Sequence, residues 1–347
     1  MIKVSKYQNI NSITCYMNSI LHILQNIESL IEYINKDLYL EIINKKDCNK
    51  KWVIVELANL FKLSYNNPNN TISPVRFRNI IGLYDDRWID NEQQDSSDFL
   101  DFILSKIQEE VGINTNKIPK FNEYLNNSIT SIKQITAYKS YLNYYSNEYS
   151  RLKKLFTNFN KYNKICGFFN NESSRYESHN ILQLSIPEII PETKSETINI
   201  YDCLEYLTNK TKMSNNDLYD CEKCCNKTYC YDKTTLWLIP EILIISFKRF
   251  DNNMRKNNIN IDYPIENLDL SKYFDNESPH EKNNLYDLIA VNMHFSLGGI
   301  NSGHYVSIIK HNDKWILYND ENPIQEVNNP QFKEAYILFY KLKKFII

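Results

Sequence analysis

"HYVSIIKHNDKWILYND" occupies residues 304–320. Its first seven residues and the run "KWILY" (314–318) are rich in β-branched and aromatic side chains, and a short polar turn around "HND" separates them. That pattern predicts a β-hairpin. His304 then opens one strand, and Asn319 and Asp320 follow the other, so the ribbon brings an imidazole beside an amide or a carboxylate. Working outward, strand-like runs recur in the last third: "TLWLI" (235–239), "EILIISF" (241–247) and "AYILFY" (335–340). The first third is different. Met17, Ile20, Leu21, Leu24 and Ile27 recur at helical spacing, as do Leu100, Ile103, Leu104, Ile107 and Val111. Between about 115 and 235 the chain is polar, rich in Asn, Tyr and Lys, with scattered short strand-like pieces. Helices first and strands later indicate an α+β architecture. No internal repeat or long linker interrupts it.

The 347 residues are 42% hydrophobic, enough for a sizeable core. A formal net charge of −2 gives no bulk attraction to nucleic acid or an anionic membrane. The opening "MIKVSKYQNINS" has no apolar core of signal-peptide length, and "ILIISF" (242–247) is far too short to span a bilayer. The expectation is a soluble intracellular protein, cytoplasmic or nuclear, in which eight reduced cysteines are candidates for catalysis or metal binding.

Cys15 stands in "TCYMNSILHIL" (14–24), at a helix entrance. Thr14 is a candidate cap, and the positive end of the helix dipole would lower the thiol pKa. Taken alone, Cys15 reads more readily as a small buried hydrophobe. A nucleophilic cysteine needs a base, and the base needs an orienting group. His304 with Asn319 or Asp320 supplies both, although 289 residues (304 − 15) separate it from Cys15. Such a set suits acyl transfer.

Four segments, in order, resemble the ubiquitin-specific proteases. "TCYMNSILHIL" resembles their cysteine box, and "NEQQDSSDFLDFIL" (91–104) their Gln-Gln-Asp box. "YDCEKC" (219–224) with "LIPEILIISFKRF" (238–250) resembles the passage from fingers to palm, and "HFSLGGINSGHYVSIIKHNDKWILYND" (294–320) the histidine box. The resemblance implies a papain-like cysteine peptidase fold with thumb, palm and fingers, one catalytic domain over 1–347, with the thumb at about 1–115 and the fingers at about 165–240. It implies thiol-dependent hydrolysis of the bond after the C-terminal glycine of ubiquitin, by a monomer whose partner is ubiquitin or a ubiquitinated protein. A weak ubiquitin-binding module and a peptidase for another ubiquitin-like modifier are the competing readings. A viral or parasite source would place the protein in a host cell.

By that resemblance Cys15 is the nucleophile and His304 the base. Asn319, four residues after Trp315, is the orienting group, with Asp320 as the alternative. The family's oxyanion Asn, five residues before the cysteine, aligns with Ile10; one inserted residue would bring Asn9 into register, and Asn11 is the other candidate. The glycine expected near it is replaced by Asn11-Ser12-Ile13. Gln94, Asp95, Asp98 and His294 are the expected contacts of the ubiquitin tail, with Gly298 and Gly299 allowing close backbone approach. Asp95 and Asp98 also read as a helix cap and its reciprocal partner. Cys221, Cys224 and Cys230, with Cys225 among them, look like half a zinc site. No cysteine pair follows "CGFF" (166–169), although His179 lies nearby, so the expectation is no cofactor and fingers held by packing. Cys203 reads as a helix core residue and Cys48 as incidental.

Overall fold

The computed structural model describes residues 5–46, 50–113, 132–146, 149–188, 197–213, 218–251, 253, 255–278, 285–299 and 302–343. Cys48 lies outside them. Helices α1 (Cys15–Leu24), α2 (Glu28–Asn35), α3 (Leu40–Ile43), α4 (Val53–Asn66), α5 (Val75–Ile81) and α6 (Ser96–Glu110) form the first part. Helices α7 (Ile132–Ser146), α8 (Arg151–Phe156) and α9 (Ile200–Thr208) follow among strands. The helices lock together through polar groups at their ends. Asp95 caps α6 by accepting the Ser97 and Asp98 N–H groups. At the other end of α6, buried Glu110 accepts the N–H groups of Val53 and Ile54 at 3.0 and 2.8 Å, so one helix satisfies the orphan donors of another.

A central eight-stranded sheet runs Gln325–Val327, Lys314–Tyr318, Ser302–His311, Leu285–Gly299, Ala335–Leu342, Ile242–Lys248, Leu182–Ser185, with Leu268–Asp269 beside the Leu285 strand. The expected hairpin is present: Lys310 pairs with Trp315 and His311 with Lys314, about a turn at Asn312 and Asp313. Both faces of this sheet are covered. Ile242, Ile244, Tyr305, Ile309, Ile337 and Phe339 pack against α1, α4 and α6. Leu243, Ile245, Phe247, Val306, Ile308 and Leu338 pack on the opposite side with α9. Double burial is why "ILIISF" reads as continuously apolar rather than alternating. Cys203 is fully buried in that second core, as expected.

The polar middle of the chain departs from its reading. In place of scattered short pieces it holds two long strands, Asn158–Cys166 and Glu172–His179, paired with each other and with Cys230–Leu238 in a four-stranded outer sheet. Helix α7 buries Ala137, Tyr141 and Tyr145 against Phe159, Tyr176 and Trp237. Tyrosines that looked like composition bias form this third core, which a count of aliphatic residues overlooks.

Candidate active site

The N-terminal segment approaches α1 through a tight turn, with Asn11 at φ 52° and Ser12 at φ 60°. Both are left-handed, the conformation for which a glycine would be natural. Thr14 does not cap the helix. Its hydroxyl accepts the Ile10 N–H at 2.9 Å, while its own N–H goes to Asn9 Oδ1 at 2.8 Å. The side chain is thus spent on closing the preceding turn.

Cys15 is the first residue of α1, which is buried along its whole length. Cys15 shares the first core with Tyr305, the residue after His304. Burial pushes the thiol up to about 11, opposed by the N–H of Tyr305 and reinforced by the Asp320 charge. The expected lowering by the helix terminus is therefore outweighed by burial. Desolvation penalises the thiolate more than a few N–H dipoles favour it.

His304 Nε2 lies 2.7 Å from Asn319 Oδ1. An amide oxygen only accepts, so Nε2 carries the proton and Nδ1 keeps a free lone pair. Asp320 Oδ2 is 3.8 Å from the same nitrogen, beyond hydrogen-bond reach. Its carboxylate is engaged elsewhere: Oδ1 accepts from Asn18 Nδ2 at 2.8 Å and Oδ2 from Asn9 Nδ2 at 2.9 Å. Asp320 itself sits at φ 48° and is buried, which raises its pKa against the pull of Asn18 and His304. Geometry gives different partners to two residues that the sequence ranked only by their spacing from Trp315. Asn319 touches the imidazole; Asp320 fastens the N-terminal turn and α1 to the hairpin. Asn9 is held further, since its backbone N–H also reaches Glu321 Oε2 at 2.8 Å.

Asp95 uses both oxygens. Oδ1 caps α6, and Oδ2 accepts the hydroxyls of Tyr336 at 2.7 Å and Tyr305 at 3.3 Å. With about four lone-pair directions on a carboxylate, none is left for a ligand. Asp98 is exposed. Gln94 turns to Asp90, whereas Gln93, which the sequence reading passed over, accepts the Gly303 N–H at 3.2 Å. His294 is fully buried rather than lining an open channel: it stacks on Tyr305 with ring centroids 4.4 Å apart, and burial pushes it down to about 3. The pairing of His294 with Tyr305 across the ladder decides this, because it turns the imidazole inward. A register shift between Ser296 and Gly299 ends that strand at the glycines. Asn18, Tyr305 and Asn292 were also missed. Asn292 accepts from Ser96 at 2.9 Å and donates to Ser19 at 2.8 Å, joining α6, α1 and the sheet. A polar residue inside an apolar helix, as Asn18 is, was the available signal. From Asp98 a cleft of about 1100 Å³ runs along α6 to the outer sheet, past Asp101, Arg87, Tyr162 and His179.

This arrangement, a buried thiol at the start of a helix that packs on the strand carrying an oriented imidazole, coincides with a match to the ubiquitin carboxyl-terminal hydrolase family model over residues 6–340. The chain belongs to that family. A human relative, ubiquitin carboxyl-terminal hydrolase 2, is 28% identical over 338 residues, covering 95% of this chain and 54% of its own length. A probable ubiquitin carboxyl-terminal hydrolase of Acanthamoeba polyphaga mimivirus is 28% identical over 356 residues, covering 88% of this chain and 74% of its own. The chain thus spans about half the length of its human relative. Among solved structures, the SAGA DUB module bound to ubiquitin aldehyde matches with a TM-score of 0.72 at 19% identity, over 99% of this chain and 70% of that one. The same module bound to monoubiquitin matches with a TM-score of 0.73. These likenesses establish the α+β, papain-like fold of the family, with its thumb, palm and fingers.

The family's fingers imply a zinc site, and the cysteines test it. Cys166, Cys221 and Cys224 place their sulfurs within 4.8 Å of one another. Cys166, which the sequence reading had left out, takes the place given there to Cys230. Cys230 pairs opposite Cys166 in the ladder but stands outside the thiol group. The N–H groups of Phe169 and Phe168 pull the Cys166 thiol down to about 7. Closed structural zinc takes four protein ligands. Among the described residues this group offers three, so the donor set is one short.

Proposed function

We propose that this chain is a thiol-dependent deubiquitinase that hydrolyses the isopeptide or peptide bond after the C-terminal glycine of ubiquitin. The observation that carries the reading is the Asn319–His304 bond on a strand whose next residue, Tyr305, packs in one core with Cys15. In this reading His304 Nδ1 takes the Cys15 proton as the sulfur attacks the glycine carbonyl. The imidazolium, held by Asn319, then protonates the departing lysine amine. Water, deprotonated by His304, cleaves the acyl-thioester and restores the thiol. Such a cycle does not require a low thiol pKa at rest, because the base removes the proton as the bond forms. The oxyanion donors in this proposal are the Cys15 backbone N–H at the start of α1 and the second hydrogen on Asn9 Nδ2. Asp98 would meet the basic tail, with Asp95 and His294 acting behind it by holding Tyr305.

The single-domain reading of 1–347 is carried forward with its boundaries, about 1–115 for the thumb and 165–240 for the fingers. So are a monomeric state, ubiquitin or a ubiquitinated protein as partner, no role for nucleic acid, an intracellular location, and fingers without structural zinc. No helix among the described residues is long and apolar enough to cross a membrane. The weak-binder alternative is favoured by the engagement of Asn9 with Asp320.

Ubiquitin carrying a C-terminal electrophile tests the proposal. The wild type should form a covalent adduct at Cys15 and turn over ubiquitin-aminocoumarin. Cys15→Ala should do neither while still binding ubiquitin. An adduct absent, or mapped to another cysteine, would reject the assignment. Adducts formed only by other modifiers would redirect the substrate.

A further inference from the structure

We propose that Cys166 and Cys224 form a reversible thiol–disulfide pair that fastens a small hairpin to the outer sheet. The hairpin, Tyr219–Cys221 with Asn226–Thr228, is a two-stranded sheet of its own; its ladder does not join the four-stranded one. Cys224 lies in its four-residue turn, and Cys166 ends the neighbouring Asn158–Cys166 strand. Their sulfurs stand 3.3 Å apart. A disulfide needs about 2.05 Å, so the two sulfurs have to approach by a little over ~1 Å. Nearby, Lys223 Nζ meets Asn171 Oδ1 at 2.5 Å, so turn and sheet are already apposed on the same side of the cysteines. The shortfall of one metal ligand leaves these thiols a use other than a closed zinc site.

The oxidant is a hydroperoxide. The thiolate of one cysteine attacks the peroxide O–O bond, giving a sulfenic acid and releasing hydroxide (water once protonated). The second thiol attacks that sulfur, the S–O bond breaks, and a second water leaves. In total two thiols and one hydrogen peroxide give one disulfide and two waters. A dithiol reverses the step by exchange. Cys221 shares the cluster, but as the last residue of its strand it is paired with Asn226 in the ladder, whereas Cys224 is in the turn.

The test uses the full chain, treated with a chelator and then with equimolar hydrogen peroxide. After blocking the remaining thiols, an unreduced digest is mapped by mass spectrometry. A Cys166–Cys224 cross-link, reversed by dithiothreitol and accompanied by a higher Tm, is the expected result. It should persist in Cys221→Ser and vanish in Cys224→Ser, a substitution in a partly exposed turn. A Cys221–Cys224 link, Cys166 over-oxidised without any link, or one tightly held zinc per purified chain that blocks the reaction would each overturn the proposal. None of these readouts involves ubiquitin, so the result stands apart from the deubiquitinase reading.

Discussion

Replacing Asn319 and Asp320 one at a time separates orientation of the base from construction of its support. Asn319→Ala removes the acceptor 2.7 Å from His304 Nε2. That bond serves an imidazole that becomes charged during the cycle, and hydrogen bonds to charged groups contribute roughly 1.5–3 kcal/mol. At 1.36 kcal/mol per tenfold, kcat should fall by roughly 10- to 150-fold. Asp320 Oδ2, 3.8 Å away, could swing in only by releasing Asn9, so it offers little rescue. Asn319 is half-buried and its loss should leave Tm nearly unchanged. Asp320→Ala acts on the fold instead. It removes one acceptor from the buried Asn18 amide, which keeps the Gln8 carbonyl, and one from the half-buried Asn9 amide; an orphaned buried N–H costs about 1–3 kcal/mol. Its Tm should fall clearly, with a loss of kcat that follows from the loosened turn. The assay is ubiquitin-aminocoumarin turnover beside thermal melts of the same preparations. A normal kcat in Asn319→Ala would refute the reasoning. So would a deeper kcat loss in Asp320→Ala at unchanged Tm, which would make the carboxylate the orienting group.

Three further outcomes follow from the same geometry. Because burial pushes the Cys15 thiol up to about 11 and the thiolate is the reactive form, iodoacetamide labelling of Cys15 in the free protein should keep accelerating above pH 9; a plateau near pH 7 would contradict it. Ser12→Gly should raise the urea midpoint at constant m, because a left-handed non-glycine residue costs roughly 1–2 kcal/mol; a lower midpoint would show that the serine is not strained. Asp98→Asn should raise KM for ubiquitin substrates at constant Tm, whereas Asp95→Ala should lower Tm by losing a cap worth about 1 kcal/mol together with two tyrosine partners; equal KM in wild type and Asp98→Asn would remove the tail-recognition role.

Local pattern alone determined a good deal here. The apolar spacing of α1 and α6 and the hairpin at 304–318 follow from periodicity and turn chemistry, which act over a few residues. Chemical type made Cys15 and His304 candidates, and the resemblance of the segments around them to the family's cysteine and histidine boxes singled them out. What the sequence could not decide were quantities set by neighbours distant along the chain. Whether the helix dipole or desolvation rules the Cys15 thiol depends on how completely the sheet covers it. Spacing from Trp315 put Asn319 ahead of Asp320, but what occupies Asp320 depends on its φ of 48° and on Asn9 and Asn18 arriving from some 300 residues away. The long polar strands of the outer sheet were hidden because their partners, the α7 tyrosines, carry hydroxyls that mask their apolar rings. Only folding brought Cys166 to Cys224, across 58 positions, because no short-range rule links a strand end to the turn of a separate hairpin.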